Sequence, residues 1–184
     1  MPRVAALLAV VLGLGVSGEA QAQTGPAPGE IRGTATAHTP ASLAASVERA
    51  SLALPASLTG GAPFLGKWSD APKTVAGAKA PVVLFLHGSS GLGLKAIGEW
   101  QGWLASLGYA SLAPDSFALP DRVTYGSPVA KEFYEKIHAL RASEIPPALA
   151  ALAATSWADM ARVALAGPSE GAPAVARSAG PEIA

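Results

Sequence analysis

Three apolar-rich runs, the first of them continuous, stand out along this chain. Pro81 to Leu86 is stopped by His87-Gly88-Ser89-Ser90-Gly91, Tyr109 to Ala113 by Pro114-Asp115, and Arg162 to Ala166 by Gly167-Pro168-Ser169. Runs of this length and kind predict buried parallel strands, apolar on both faces because helices cover both sides of the sheet. Between the first two, Trp100, Trp103, Leu104 and Leu107 recur at helical spacing and Gly108 closes the segment. That stripe predicts a helix with both tryptophans in the core. Val129 to about Ala154 is helical in pattern, with Phe133, Ile137 and Leu140 on one face, and Pro146-Pro147 must break or restart it. A small-residue helix follows from Ala172 to about Ala179. Two fainter strands are read at Val47–Leu54, ended by Pro55, and at Phe64–Trp68. Strand and helix alternate with no visible internal repeat, which predicts an α/β fold built on a mostly parallel sheet with flanking helices.

Arg3, the apolar run Val4 to Val16 and the small-x-small triplet Ala20-Gln21-Ala22 have the layout of an export signal. The run is shorter than the roughly 20 residues that span a bilayer, so a cleaved signal over residues 1–22 is preferred to a membrane anchor. The mature chain then starts near Gln23, in the periplasm or outside the cell. Residues 23–40 are rich in Gly, Pro, Ala and Thr and read as a flexible lead-in to one domain over residues 41–184.

The formal net charge is zero and half of the residues are hydrophobic, which fits a globular core and leaves no basic run for nucleic acid. There is no cysteine, so disulfides and thiol nucleophiles are excluded. The three histidines, His38, His87 and His138, are never paired at ligand spacing, so no metal site is expected.

Gly167-x-Ser169-x-Gly171 matches a nucleophile elbow: a serine in a tight strand-to-helix turn, flanked by glycines that let other backbone pass close by. The following helix turns its N-terminus toward developing negative charge. The strand ending in His87-Gly88 precedes it, as an oxyanion loop requires, which makes the backbone amides of Ser89 and Glu170 the expected oxyanion donors. The alternative is a glycine-rich helix start in which Ser169 serves only as an N-cap.

PVVLFLHGSSGLG (81–93), GYASLAPDSF (108–117) and RVALAGPSEGA (162–172) resemble the dienelactone hydrolase family of the α/β-hydrolases. With the helices between them they cover about half of the chain. The resemblance implies an ester or lactone hydrolase that works through a serine acyl-enzyme on a small-molecule substrate, without metal or organic cofactor. Ser169 is then the nucleophile, and His87 resembles the family's structural histidine, not its base. Pro168 departs from the pattern, because proline removes a donor at the end of a strand.

In such enzymes the acid and the histidine of the triad follow the serine, so the chain reads as truncated after the elbow helix. His138, on a flanking helix, and His38, in the lead-in, are not positioned as bases. Asp115 either faces the cleft or is an exposed turn residue. Arg141 and Glu144, three apart on a helix, read as a surface pair. An unpaired sheet edge beside Ala166 predicts self-association. The competing reading is a non-catalytic exported remnant or binding protein that keeps the fold.

Overall fold

The computed structural model describes residues 25–178; the export signal expected over residues 1–22 lies outside them. In chain order the first half carries β1 (Ile31–Arg32), α1 (Pro40–Glu48), β2 (Ser51–Leu54), α2 (Ala56–Thr59), β3 (Phe64–Lys67) and β4 (Ala80–Phe85). The second half carries α3 (Lys95–Ser106), β5 (Ala110–Ala113), β6 (Thr124–Tyr125), α4 (Lys131–Ala142), α5 (Ile145–Ala153), β7 (Ala158–Ala166) and α6 (Gly171–Ser178).

All three runs become adjacent strands of one five-stranded sheet in the order β3-β2-β5-β4-β7, but only the first two are buried: β7 lies at the edge of the described sheet, and none of Arg162–Ala166 is buried as the pattern predicts. β4 pairs in parallel with β5 and β7, whereas β2 pairs antiparallel with both β3 and β5. The fold is α/β, as the alternation predicts, but the sheet is mixed and not mostly parallel. The two faint strands account for the difference, because they fold as a hairpin-like pair at one edge.

Alternate residues of the strands feed two cores. Leu52, Leu54, Val82, Leu84, Leu86 and Leu112 pack against Ile145, Ala148 and Leu152 of α5 and Ala174 of α6. On the opposite face Phe85 and Ala113 meet Ile97 of α3, with Leu92 and Ala166 beside them. Pro146 falls in the first turn of α5, where no helical N–H is lost, so the double proline restarts the helix.

Three segments differ from the pattern reading. Val47 and Glu48 belong to α1, because Thr39 caps it, Pro40 opens it and Ser42 returns the reciprocal capping bond; the strand starts only at Ser51. In α3 the buried positions are Ile97, Gln101 and Ala105, while Trp100, Trp103 and Leu107 are each 54% exposed. Gln101 sets this rotation, since its side chain accepts from the Ser51 hydroxyl at 2.6 Å and donates to the Ser51 carbonyl at 3.2 Å. The two indoles pack edge to face on the outside instead, with centroids 5.5 Å apart.

The described part of the expected lead-in is the third. β1 pairs with β6, Gly29 donates to the Gly126 carbonyl at 2.7 Å, and Thr34 is held by the Asp121 carboxylate. Gly33, at φ +79°, has the Arg122 carbonyl only 2.7 Å from where a Cβ would stand. Residues 25–35 are thus built onto the 121–126 segment.

The far side of β7 is unpaired among the described residues. Its first half is not a straight ladder: Ala80 faces Ala158 but Val82 faces Val163, so two steps along β4 match five along β7. The bulged stretch carries an Asp159–Arg162 ion pair at 2.7 Å, and bulge and charge both blunt an edge against further pairing.

Because the α3 tryptophans face outward, Trp100→Gln is expected to change the unfolding free energy by less than about 1 kcal/mol. Leu152→Ala, which empties space beneath α5, should cost about 2–5 kcal/mol. Urea unfolding followed by circular dichroism checks both values.

Candidate active site

The stretch joining β7 to α6 makes its turn at Ser169, whose φ of +50° lies in the left-handed region that non-glycine residues avoid. Neighbouring backbone explains why the flanking positions are glycine. The Leu86 carbonyl would lie 2.6 Å from a Cβ on Gly167, and it would collide with a Cβ on Gly171. Gly88 is less constrained, since a Cβ there would stand 3.3 Å from Ser169 Cβ, a tight contact and not a collision. The end of β4 is therefore pressed under the turn, and the serine sits directly against the loop that follows β4. Ser169 is exposed, and its hydroxyl makes no hydrogen bond among the described residues. It does not cap α6: the Ala172 amide donates to the Ser169 backbone carbonyl instead.

Ser89 and Glu170, the two residues expected to supply oxyanion amides, flank this turn. Neither backbone amide donates to an acceptor among the described residues. The two residues also line one cleft of about 630 Å³, together with Gly91, Asp115, Phe117, Arg122 and Tyr125. Gly25 and Pro26 wall one side of it, which gives the start of the described chain a place at the site. On the other side of the turn, Trp100 joins Phe85, Leu94 and Pro168 around an apolar groove of about 400 Å³.

Beneath the turn runs a chain of buried polar contacts. Glu170 is paired with Arg122 at 2.6 Å, both side chains 1% exposed, and Arg122 Nε donates to Ser116 Oγ at 2.8 Å. The Ser116 amide donates to His87 Nε2 at 3.1 Å, while His87 Nδ1 donates to the Gly88 carbonyl at 2.7 Å. These two bonds specify the Nδ1-protonated tautomer and leave neither ring nitrogen for Ser169. Burial, and then the nearby Arg141 guanidinium, push the His87 pKa down to about 4. His87 is thus neutral and positions the loop.

Arg141 and Glu144 are wholly buried and not the surface pair their spacing suggests. Arg141 donates to the His87 carbonyl at 2.9 Å and to Glu144 Oε1 at 3.1 Å. His38, expected in a loose segment, is equally buried, with Nε2 3.0 Å from Glu144 Oε1 and Nδ1 3.0 Å from Ser42 Oγ. Its position in a Gly/Pro-rich stretch hides this role.

His138 stacks on Tyr134 with centroids 6.3 Å apart, and its buried Nδ1 has no partner. Burial is the larger influence lowering its pKa, with Arg177 second. Thus none of the three histidines is hydrogen-bonded to Ser169. Asp115 does both things proposed for it: Oδ1 accepts from the Phe117 amide at 3.0 Å in a tight turn, and the residue lines the cleft. Arg122 and Tyr125 escape sequence reasoning. The Tyr125 hydroxyl is held protonated above the usual phenol range, first by burial and then by the Glu170 carboxylate. No protein-family model and no curated protein matches the chain.

Gly171→Ala is expected to destabilise by at least about 2 kcal/mol through its clash with Leu86. Gly98→Ala, an exposed helical site with open space around it, should stabilise by about 0.5–1 kcal/mol. Chemical denaturation of the two variants makes the comparison.

His87 is neutral in the fold and takes up its proton near pH 6.5 once unfolded, so unfolding binds protons between that value and about 4. Stability is full above this window and falls as pH drops through it. From about pH 7 to about pH 5 the loss from His87 is about 2 kcal/mol, and His138 adds to it in the same direction. Unfolding free energies across that range, with calorimetric proton uptake, test the sign.

Proposed function

We propose that this protein is an exported serine hydrolase of the dienelactone-hydrolase type, built on an α/β-hydrolase sheet, that cleaves carboxylic esters or lactones through an acyl-enzyme on Ser169. The observation that carries this reading is the backbone of Ser169: a strained left-handed turn, packed between the glycines that cross Leu86 and the Gly88 loop, with an exposed hydroxyl and two amides, of Ser89 and Glu170, that have no acceptor among the described residues. Strain of about 1–3 kcal/mol persists only where the surrounding structure enforces it, and it gathers at reactive sites.

In the reaction, Ser169 Oγ attacks the ester carbonyl carbon. The carbonyl oxygen takes up the charge and is received by the N–H groups of Ser89 and Glu170. Solvent hydroxide takes the Oγ proton as the new bond forms; collapse expels the alkoxide, which water protonates, and leaves the acyl group on Oγ, from which water releases the acid. Glu170 contributes through its amide alone, since its carboxylate is tied to Arg122. His87 and Arg141 hold the oxyanion loop in register and transfer no proton.

The proton of Oγ has no histidine to receive it among the described residues, which limits the rate. Preorganised amides and binding alone sustain roughly 10³-fold catalysis over water when a triad is incomplete. The same absence favours a second reading, an exported binding protein that retains the elbow without turnover.

Activated esters separate the two. Hydrolysis of 4-nitrophenyl acetate should exceed the buffer rate and vanish in Ser169→Ala, with the fold intact by circular dichroism. The rate should climb about tenfold per pH unit through the neutral range, because hydroxide replaces the missing base. A rate unchanged in Ser169→Ala would support the binding protein, and a plateau near neutral pH would point to a histidine base.

A further inference from the structure

One flank of α3 is apolar and faces away from the core. The helix turns Ile97, Gln101 and Ala105 inward. Ala96, Trp100, Trp103 and Leu107 are exposed, and at the helical period they fall within an arc of about 60°. Both tryptophans and Leu107 are 54% exposed, and Leu94 and Tyr109 extend the stripe at its two ends. Lys95 and Glu99 border it and satisfy each other at 3.0 Å, so no unpaired charge adjoins the stripe. The edge of β7 is a poorer surface for association, since its bulge and its Asp159–Arg162 pair oppose strand addition.

The order of residues in the stripe says what covers it. From Ala96 to Trp100, Trp103 and Leu107 the steps are four, three and four, the seam of a packed helix pair. That spacing reads the same in both directions. Turned about a two-fold axis between Gln101 and Gly102, the stripe meets itself. Ala96 then faces Leu107 of the partner subunit, small against large, and Trp100 faces Trp103 of the partner subunit. An isologous contact requires this self-complementarity. Within one copy the two indoles already meet edge to face, 5.5 Å between centroids, and two such pairs make a four-ring cluster at the axis.

Area and charge agree with a second copy. The exposed apolar surface of the stripe is roughly 500 Å², about the apolar share of a standard interface, ~800 Å² on each partner and ~65% apolar in homodimers. The formal net charge is zero, with or without residues 1–22, whose Arg3 and Glu19 cancel. Copies therefore meet without mutual repulsion.

We propose that two copies of this chain associate through antiparallel α3 helices, with Trp100 and Trp103 at the centre of the interface. The inference does not depend on the hydrolase reading. The native chain has no cysteine, so introduced ones report the register directly. Ala96→Cys mixed with Leu107→Cys should give a disulfide-linked dimer under mild oxidation. Either variant alone should not, because residue 96 lies about 16 Å along the seam from its own counterpart, beyond the ~7 Å that a disulfide spans. Sedimentation of the unsubstituted chain should show a species of twice the chain mass that dissociates on dilution. Trp103→Glu should weaken that dimer at least about tenfold, with the fold intact by circular dichroism. Dilution should also lower the thermal midpoint, while Trp100→Gln keeps its small effect on the separated chain. A monomer at every concentration overturns the proposal and leaves the face to a different chain. So does a dimer that Trp103→Glu does not weaken, or linkage of Ala96→Cys to itself. Growth beyond two copies without α3 cross-links, the mark of pairing at the β7 edge, overturns it as well.

Discussion

The Leu86 carbonyl occupies the space where side chains on Gly167 and Gly171 would have to go. That one steric fact ties the end of β4 to the turn after β7, and the rest of the site hangs from it. With β4 and β7 parallel and adjacent, their C-terminal ends emerge on the same edge of the sheet. Ligands in open α/β sheets gather at that edge because the loops there leave a crevice. The crossing then brings Gly88 against Ser169, and leaves the Ser89 and Glu170 amides without an acceptor among the described residues. A methyl group on Gly167 or Gly171 would pry these parts from one another.

Below that crossing, charge does what the small core does not. Glu170, Arg122, Ser116, His87, Arg141, Glu144 and His38 form one buried polar succession from the elbow to the segment before α1. Ion pairs of this depth add little net stability, because desolvation offsets the attraction, but removing one partner strands the other and costs about 3–5 kcal/mol. They tie the loop after β4 to α4 and to the segment that follows β5. They also explain why residues 25–38 are integral: His38 ends the succession, while Gly29, Gly33 and Thr34 clasp the stretch that presents Arg122 and Tyr125.

The sheet's inner strands and the elbow are legible because their signals are local. PVVLFL is short, apolar throughout and stopped by His-Gly, as a strand covered on both faces is, and glycines two positions on either side of a serine speak of a backbone crossing at that point. What stays hidden depends on partners far along the chain. The stripe of Trp100, Trp103 and Leu107 has helical period, but which stripe of α3 turns inward is decided by Gln101 and Ser51, 50 residues apart. Arg141 and Glu144 look like a surface pair until His87 and His38, 54 and 106 residues away, are seen to close around them. Low complexity misleads in the lead-in, where glycines that suggest a linker are in fact required for close packing. The antiparallel half of the sheet is obscured for a simpler reason: β2 and β3 are four residues each, too short to show period or direction.

The central claim is that this turn holds one serine hydroxyl ready to acylate. Incubating the protein with a fluorophosphonate and mapping the adduct by peptide mass spectrometry tests it most directly. The account predicts a single modification, on Ser169, that heat-denatured protein does not acquire. An unmodified Ser169, or equal labelling of Ser89, Ser90 and Ser169 regardless of folding, would contradict it.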